Sequence, residues 1–271
     1  MPELPEVEIA RRCLVRWFDG RSLVRAVGTP SRVFRGAERA RFEALAGPLT
    51  SAERKGKYLM LGFGEQGLVM HLGMTGKLVK RPQGQAEPYS RARFELDSGE
   101  VVHFRDPRMF GHIEPAPTKT LPTLKAVAKL GRDPLVEGLD ARALAELVGP
   151  SRQALKVALM DQERIAGLGN IHAAEALFRA GLHPARAPGS LSSAEWKRLA
   201  QGIRAALDFA LVEQDSDEIR YVEEPGSDNP FLVYGRAGTP CRKCKTTVKS
   251  MTQGGRTTHY CPKCQPKGAK R

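Results

Sequence analysis

Two groups of residues have the types and spacing to do chemistry. Cys241-x2-Cys244 and Cys261-x2-Cys264 are two close pairs separated by sixteen residues. Four thiolates at that spacing, each pair on a tight turn, suit a single tetrahedral zinc ion. A closed shell of soft ligands makes such an ion structural and not catalytic. The fifth cysteine, Cys13, stands alone, and four plus one argues for metal over a disulfide framework. The second group opens the chain: Pro2, Glu3 and Glu6. Removal of the initiator methionine would expose a secondary amine at Pro2. An α-amino group with a pKa of about 7.7–8.0 keeps a useful neutral fraction at pH 7, whereas an ordinary lysine does not. Its addition to an aldehyde-like carbon gives an iminium, a cationic electron sink that favours elimination at the neighbouring carbon. Glu3 and Glu6 are suited to the accompanying proton transfers. Taken alone, a chain-start proline that merely permits processing is the simpler explanation.

Both groups need a scaffold. With 271 residues the chain has length for about two domains, and 41% hydrophobic with 27% charged residues is a globular composition. No apolar run approaches the roughly 18 residues of a membrane helix. The opening MPELPEVE has neither the basic nor the apolar region of a secretory signal, so none is expected. The net charge is +13, and ten basic residues with no acidic one lie between Arg236 and Arg271. A basic segment wrapped around the cysteine pairs points to a polyanion, most simply nucleic acid. Zinc modules also mediate protein contacts, so the module by itself does not identify DNA.

Periodicity predicts a helix over Glu6–Phe18, where Val7, Ala10, Leu14, Trp17 and Phe18 share a face. Short strands follow: 58–63, 68–72, 93–96 and 101–104, the last two joined by Asp97-Ser98-Gly99. Many short strands with glycine turns predict a β-sandwich or barrel packed on the first helix. Pro115 to Pro122 reads as a linker. Helices are predicted over 140–148, 152–160, 171–180 and 193–213, a long loop over 214–229, and the cysteine module from Gly235. The fold class expected is thus α+β in two domains: residues 1–117 a sandwich with a leading helix, 118–132 a linker, 133–234 helical, and 235–271 a zinc hairpin.

In order along the chain, MPELPEVE, HLGMTG (71–76), RDPRMFG (105–111), GLGNIHAAEALFRAGLHP (167–184) and VYGRAGTPC with the further cysteines resemble the formamidopyrimidine-DNA glycosylase family. Those bacterial enzymes excise oxidised purines such as 8-oxoguanine and then cut the strand. The related endonuclease VIII branch usually has Gly where this chain has Leu4, so the resemblance is to the purine-repair branch. It implies that Pro2 is the Schiff-base nucleophile, Glu3 the acid/base beside it, and Glu6 a supporting carboxylate. It assigns Lys57 to sugar opening and β-elimination, and Arg256 to a phosphate grip and the δ-elimination. Asn170 becomes a phosphate ligand in a helix–two-turns–helix motif, and Arg152 a basic DNA contact. Met74 and Phe110 become wedges that fill the gap left by a flipped base, and Arg108 reads the orphaned cytosine. Tyr89 stands where the family often has a DNA-contacting histidine. Met109, His172 and the acidic 214–229 segment also depart from the usual pattern. The implied partner is damaged double-stranded DNA, the implied cofactor one structural zinc, and the expected state a monomer in the bacterial cytoplasm, associated with the nucleoid.

Three other readings share part of these observations. A non-enzymatic nucleic-acid-binding zinc protein accounts for the charge and the cysteines but not for the PELPE start. A small-molecule enzyme using an N-terminal proline needs neither basic finger nor wedges. Specificity for oxidised pyrimidines is the nearest competitor.

Overall fold

In the computed structural model the first apolar stripe forms α1 (Leu4–Phe18), with Pro5 in its first turn and its buried face made of Val7, Ala10, Leu14, Trp17 and Phe18. The structure describes residues 2–213, 216–219, 221, 222, 224 and 226–267. Of the basic end Pro266–Arg271, residues 268–271 lie outside the described residues, as does Met1. The chain divides into two units: Met1–Lys129 with Gln214–Ser227, and Leu130–Glu213 with Asp228–Arg271.

The first unit continues through β1 (Ser22–Gly28), α2 (Glu38–Glu43), β2 (Gly47–Pro48), β3 (Ser51–Lys55), β4 (Tyr58–Phe63), β5 (Gln66–His71), β6 (Lys77–Pro82), β7 (Ser90–Leu96), β8 (Glu100–Arg105) and β9 (His112–Pro117). A 3-10 helix (Thr118–Thr123) and α3 (Lys125–Ala128) follow. The strands form two antiparallel sheets, one ordered β2-β1-β7-β8-β6 and the other β3-β4-β5-β9. Aromatic rings close the space between them. Phe63 of β4 stacks on Phe94 of β7 at 6.2 Å, and Phe18 of α1 meets their edges at 5.8 and 6.4 Å. The predicted sandwich with a leading helix is therefore present.

The expected linker at Pro115–Pro122 is not one. Pro115 and Pro117 belong to β9, paired with β5 in the register Leu68↔Pro115 and Gln66↔Pro117, and Pro122 lies in the 3-10 helix. β9 is an edge strand, where prolines leave no ladder donor unmet.

The second unit is built from α4 (Ala141–Val148), α5 (Leu155–Leu159), α6 (Asn170–Ala180) and α7 (Ser193–Glu213), then a hairpin of β10 (Lys249–Gln253) and β11 (Arg256–Tyr260). Asp140 caps α4 by accepting the Ala143 N–H at 2.8 Å. Ser192 and Glu195 cap α7, the Ser192 N–H donating to Glu195 Oε2 at 2.8 Å. The second predicted helix is shorter than expected: Arg152 to Ala154 stay outside α5, and Ala154 is extended. Two turns join α5 to α6, with the Arg164 and Ile165 N–H groups both donating to the Asp161 carbonyl. No helix among the described residues is long and apolar enough to cross a membrane.

Candidate active site and nucleic-acid interface

The start of α1 is fixed by its own carboxylates. Glu3 is the N-cap residue and Glu6 the third helical residue, and the two form a reciprocal capping box. The Glu3 N–H donates to Glu6 Oε2 at 2.8 Å, and Pro2, Glu3 and Glu6 are all buried. Glu6 thereby holds the backbone that carries the Pro2 nitrogen. Further along the helix, Glu8 accepts from Arg11, Arg12 and Arg54 at 2.9–3.2 Å. Burial pushes the Glu8 carboxyl up, but the hydrogen bonds and charges of these arginines outweigh it and bring the pKa to about 2. Arg54, nearly inaccessible, also donates from Nη1 to the Gly56 carbonyl at 3.0 Å. Gly56 and Lys57 are the two turn residues of the β3–β4 hairpin, closed by the pair Lys55↔Tyr58. The path Glu8–Arg54–Gly56 therefore fastens the Lys57 turn to the helix that begins beside Pro2.

Met74, Tyr89, Arg108 and Phe110 also belong to this unit. Met74 is 39% exposed and Phe110 47%, both in turns and not mid-strand. The exposed Arg108 guanidinium lies over the Phe110 ring at 4.6 Å. Tyr89 is exposed and held in the left-handed region at φ 62°, with Arg91 over its ring at 5.9 Å. Next to the Met74 turn, the half-buried His71 accepts the Gly73 N–H on Nδ1 at 3.0 Å. Desolvation first, then the charges of Lys57 and His112, lower its pKa to about 4. A neutral ring at pH 7 keeps that acceptor available.

In the second unit Asn170 opens α6, and the backbone N–H groups of a helix start suit a phosphate. Its side chain is engaged at both ends. Lys156 Nζ donates to Oδ1, and Nδ2 donates to the Thr257 carbonyl at 3.1 Å. Thr257 follows Arg256, the exposed first residue of β11, across the Gly254-Gly255 turn. Both glycines have positive φ, 53° and 69°, as a tight two-residue hairpin turn requires. Asn170 and Arg256 are thus brought together, while Arg152 sits exposed before α5. The Pro2–Lys57 group and the Asn170–Arg256 group stand on different units.

Two residues were missed in the sequence. Lys156 is fully buried beneath Asn170, and its signal was a lone cation inside the apolar run LKVAL. Glu175 of α6 is buried and accepts the N–H groups of Leu232, Val233 and Tyr234 at 2.8–3.1 Å. It anchors the segment leading into the cysteine module, but nothing in the local sequence distinguishes it from an ordinary helical glutamate.

The four cysteines lie with all Sγ atoms within 4.8 Å of one another. The Cys244–Cys261 and Cys241–Cys264 sulfurs are 3.4 and 4.0 Å apart. With Zn–S bonds of about 2.3 Å, the edges of a tetrahedron are about 3.8 Å, so the cluster fits one zinc ion. The chemistry agrees. Hydrogen bonds from Thr246 lower the Cys244 thiol to about 6, whereas burial and the neighbouring cysteines push Cys264 up to about 12. Four thiolates need a cation among them. The ion is structural, and Phe178, Val233 and Val248 pack around the buried cysteines.

Comparison with known proteins bears on all of these parts. The family profile for the formamidopyrimidine-DNA glycosylase N-terminal domain matches residues 1–113, that for its H2TH domain residues 130–221, and a zinc finger found in FPG and IleRS residues 238–267. The formamidopyrimidine-DNA glycosylase of Laribacter hongkongensis is 38% identical over 98% of this chain and all of its own length. That of Sodalis glossinidius is 36% identical with the same coverage. Among solved structures, the MutM (FPG) protein of Thermus thermophilus superposes with a TM-score of 0.82 at 34% identity, covering 99% of this chain and all of that one. A Lactococcus lactis FPG mutant complexed with a Fapy-dG containing DNA gives 0.85 at 29% identity, covering 98% of this chain and all of that one.

Proposed function

Since the chain belongs to the formamidopyrimidine-DNA glycosylase family, DNA glycosylases with AP lyase activity that act on damaged DNA in base excision repair, we propose that its substrates are oxidised purines and its nucleophile the Pro2 amine. The observation that carries this reading is the capping box, which holds the chain start buried at the head of α1 with two carboxylates beside it. The Pro2 nitrogen lone pair attacks the lesion's C1′, and the glycosidic electron pair leaves with the base. Glu3 is the acid/base next to the amine. Ring opening at the sugar yields the iminium. Loss of a proton from C2′ then expels the 3′ phosphate by β-elimination, and a δ-elimination expels the 5′ phosphate. Lys57, on a turn tied to α1 through Arg54 and Glu8, assists sugar opening. Arg256 grips phosphate and serves the second elimination.

Unstacking a base costs a few kcal/mol, and Met74 and Phe110 offset this by filling the gap. Arg108 presents paired donors to the orphaned cytosine. Tyr89 offers a phenol to the backbone, and Arg152 and Asn170 supply phosphate contacts on the second unit. The zinc holds the finger that bears Arg256 and takes no part in bond making. One solved relative, the Lactococcus lactis FPG (MutM), is complexed with an oxidised pyrimidine containing DNA, which favours oxidised pyrimidines as a second substrate class.

Borohydride trapping on a duplex with 8-oxoguanine opposite cytosine tests the reading, with a thymine-glycol duplex in parallel. A stable crosslink is expected on the first, through the residue-2 nitrogen. Binding without a crosslink, or full activity in a preparation whose intact mass retains the initiator methionine, would overturn it.

A further inference from the structure

The turns bearing Met74 and Phe110 are separated by more than thirty residues of sequence, yet one carboxylate holds both. Asp106 is fully buried. Its Oδ1 accepts the Thr75 hydroxyl at 2.7 Å, and its Oδ2 accepts the Gly111 N–H at 2.8 Å. Thr75 follows Met74 and Gly111 follows Phe110, so each oxygen anchors one turn. The turns also touch backbone to backbone. Gly73 has φ +71°, and a Cβ there would lie 2.4 Å from the Phe110 carbonyl carbon and 2.5 Å from the Gly111 nitrogen. Around the bracket, the Asp106 N–H donates to the Tyr89 carbonyl at 3.0 Å, and Arg91 Nε donates to the Asp106 carbonyl at 2.9 Å. Between Arg108 and Phe110, Met109 is in the left-handed region at φ 54°. A non-glycine residue is disfavoured there and persists where its surroundings over-determine it.

We propose that Asp106 is a positioning residue that sets the spacing of the Met74 turn from the Arg108–Phe110 turn, so that wedge insertion and reading of the opposite base proceed as one event. This rests on the reading that these turns enter DNA. A bracket of this kind explains how two exposed apolar tips on separate loops keep a fixed spacing. Charge-assisted bonds to a buried carboxylate are the strong ones, and losing one arm frees one turn from the other.

The test uses the full chain with its zinc, in Thr75→Val, Thr75→Ser and Asp106→Asn variants. The first readout is the ratio of single-turnover excision rates opposite cytosine and opposite adenine. The second is cleavage of an abasic site in single-stranded DNA, which has no opposite base and no stack to wedge. Thr75→Val is expected to lower the ratio about tenfold, the equivalent of one charge-assisted bond. Thr75→Ser, which keeps the hydroxyl, restores it, and Asp106→Asn lowers it at least as far. Single-strand cleavage stays within about twofold of the parent. An unchanged ratio in Thr75→Val, or equal falls in both readouts for Thr75→Val and Thr75→Ser, would overturn the proposal. Failure of the parent chain to cut any oxidised duplex would instead overturn the functional reading on which it rests.

Discussion

The two units hold their proposed DNA-facing side chains by different means, although a buried carboxylate, Glu175, also serves the second. In the first, buried carboxylates do it: Glu6 fixes the start of α1, Glu8 reaches the Lys57 turn through Arg54, and Asp106 brackets the wedges. In the second, four sulfurs gather around a metal, and the finger is then tied to α6 by Asn170 and Glu175. A carboxylate acts through lone pairs and fails when protonated. A thiolate cluster acts through an ion and fails when the ion is removed. Chemistry and grip should therefore be separable by choice of perturbation.

Four experiments probe that contrast. Extending the chain ahead of Pro2 caps the amine and should abolish the borohydride crosslink, while duplex affinity by gel shift stays close to the parent value. Removing zinc with a chelator, or Cys261→Ser, should do the reverse. Affinity falls about a hundredfold as the basic hairpin loses its fold and its phosphate contacts, while saturating DNA still gives some crosslink. Arg108→Ala should leave both readouts in place and reduce the preference for cytosine opposite the lesion about tenfold, measured as a ratio of excision rates.

The smallest effect is on acid stability. The Glu8 pKa falls on folding from about 4.5 to about 2, so its contribution is fully present above the higher value and is lost as pH falls toward the lower one. His71 is a base whose pKa drops to about 4, so the unfolded chain binds its proton first and stability declines as pH falls below about 6.5. Thermal melts from pH 7 to 3 should show a steady fall, and Glu8→Gln should flatten its lower part. An unaltered slope in that variant would remove Glu8 from the account.

Periodicity and spacing carried much of this. The α1 stripe, the 58–63 strand and the 97–99 hairpin are local patterns, and the cysteine pairs announce a metal because their ligands come two by two on adjacent turns. What escaped was set by partners distant in sequence. Asp106 looked like part of a short motif, yet its role depends on Thr75 and Gly111. Lys156 and Glu175 are charged residues matched by partners outside their own helices, Asn170 for the first and the 232–234 backbone for the second. The prolines at 115 and 117 signalled a break because their own type disfavours strands, and only the edge position of β9 accommodates them. The carboxylates at the chain start were legible as chemistry but not as a capping box, since local type does not say where the helix begins.

Part of the first unit comes from Gln214–Ser227, beyond every helix of the second. There the buried Lys77 ammonium meets Glu224 and the Ile219 carbonyl, and the Tyr221 hydroxyl donates to the Gly76 carbonyl at 2.6 Å. On the ribosome, residues 1–129 therefore emerge as an unfinished body, with a lysine still waiting for its acidic partners until nearly the whole polypeptide has left the exit tunnel. A truncation that spares the sandwich but stops before residue 214 removes the partners of Lys77 and Gly76 and opens both to water, so that fragment is expected to melt below the full chain.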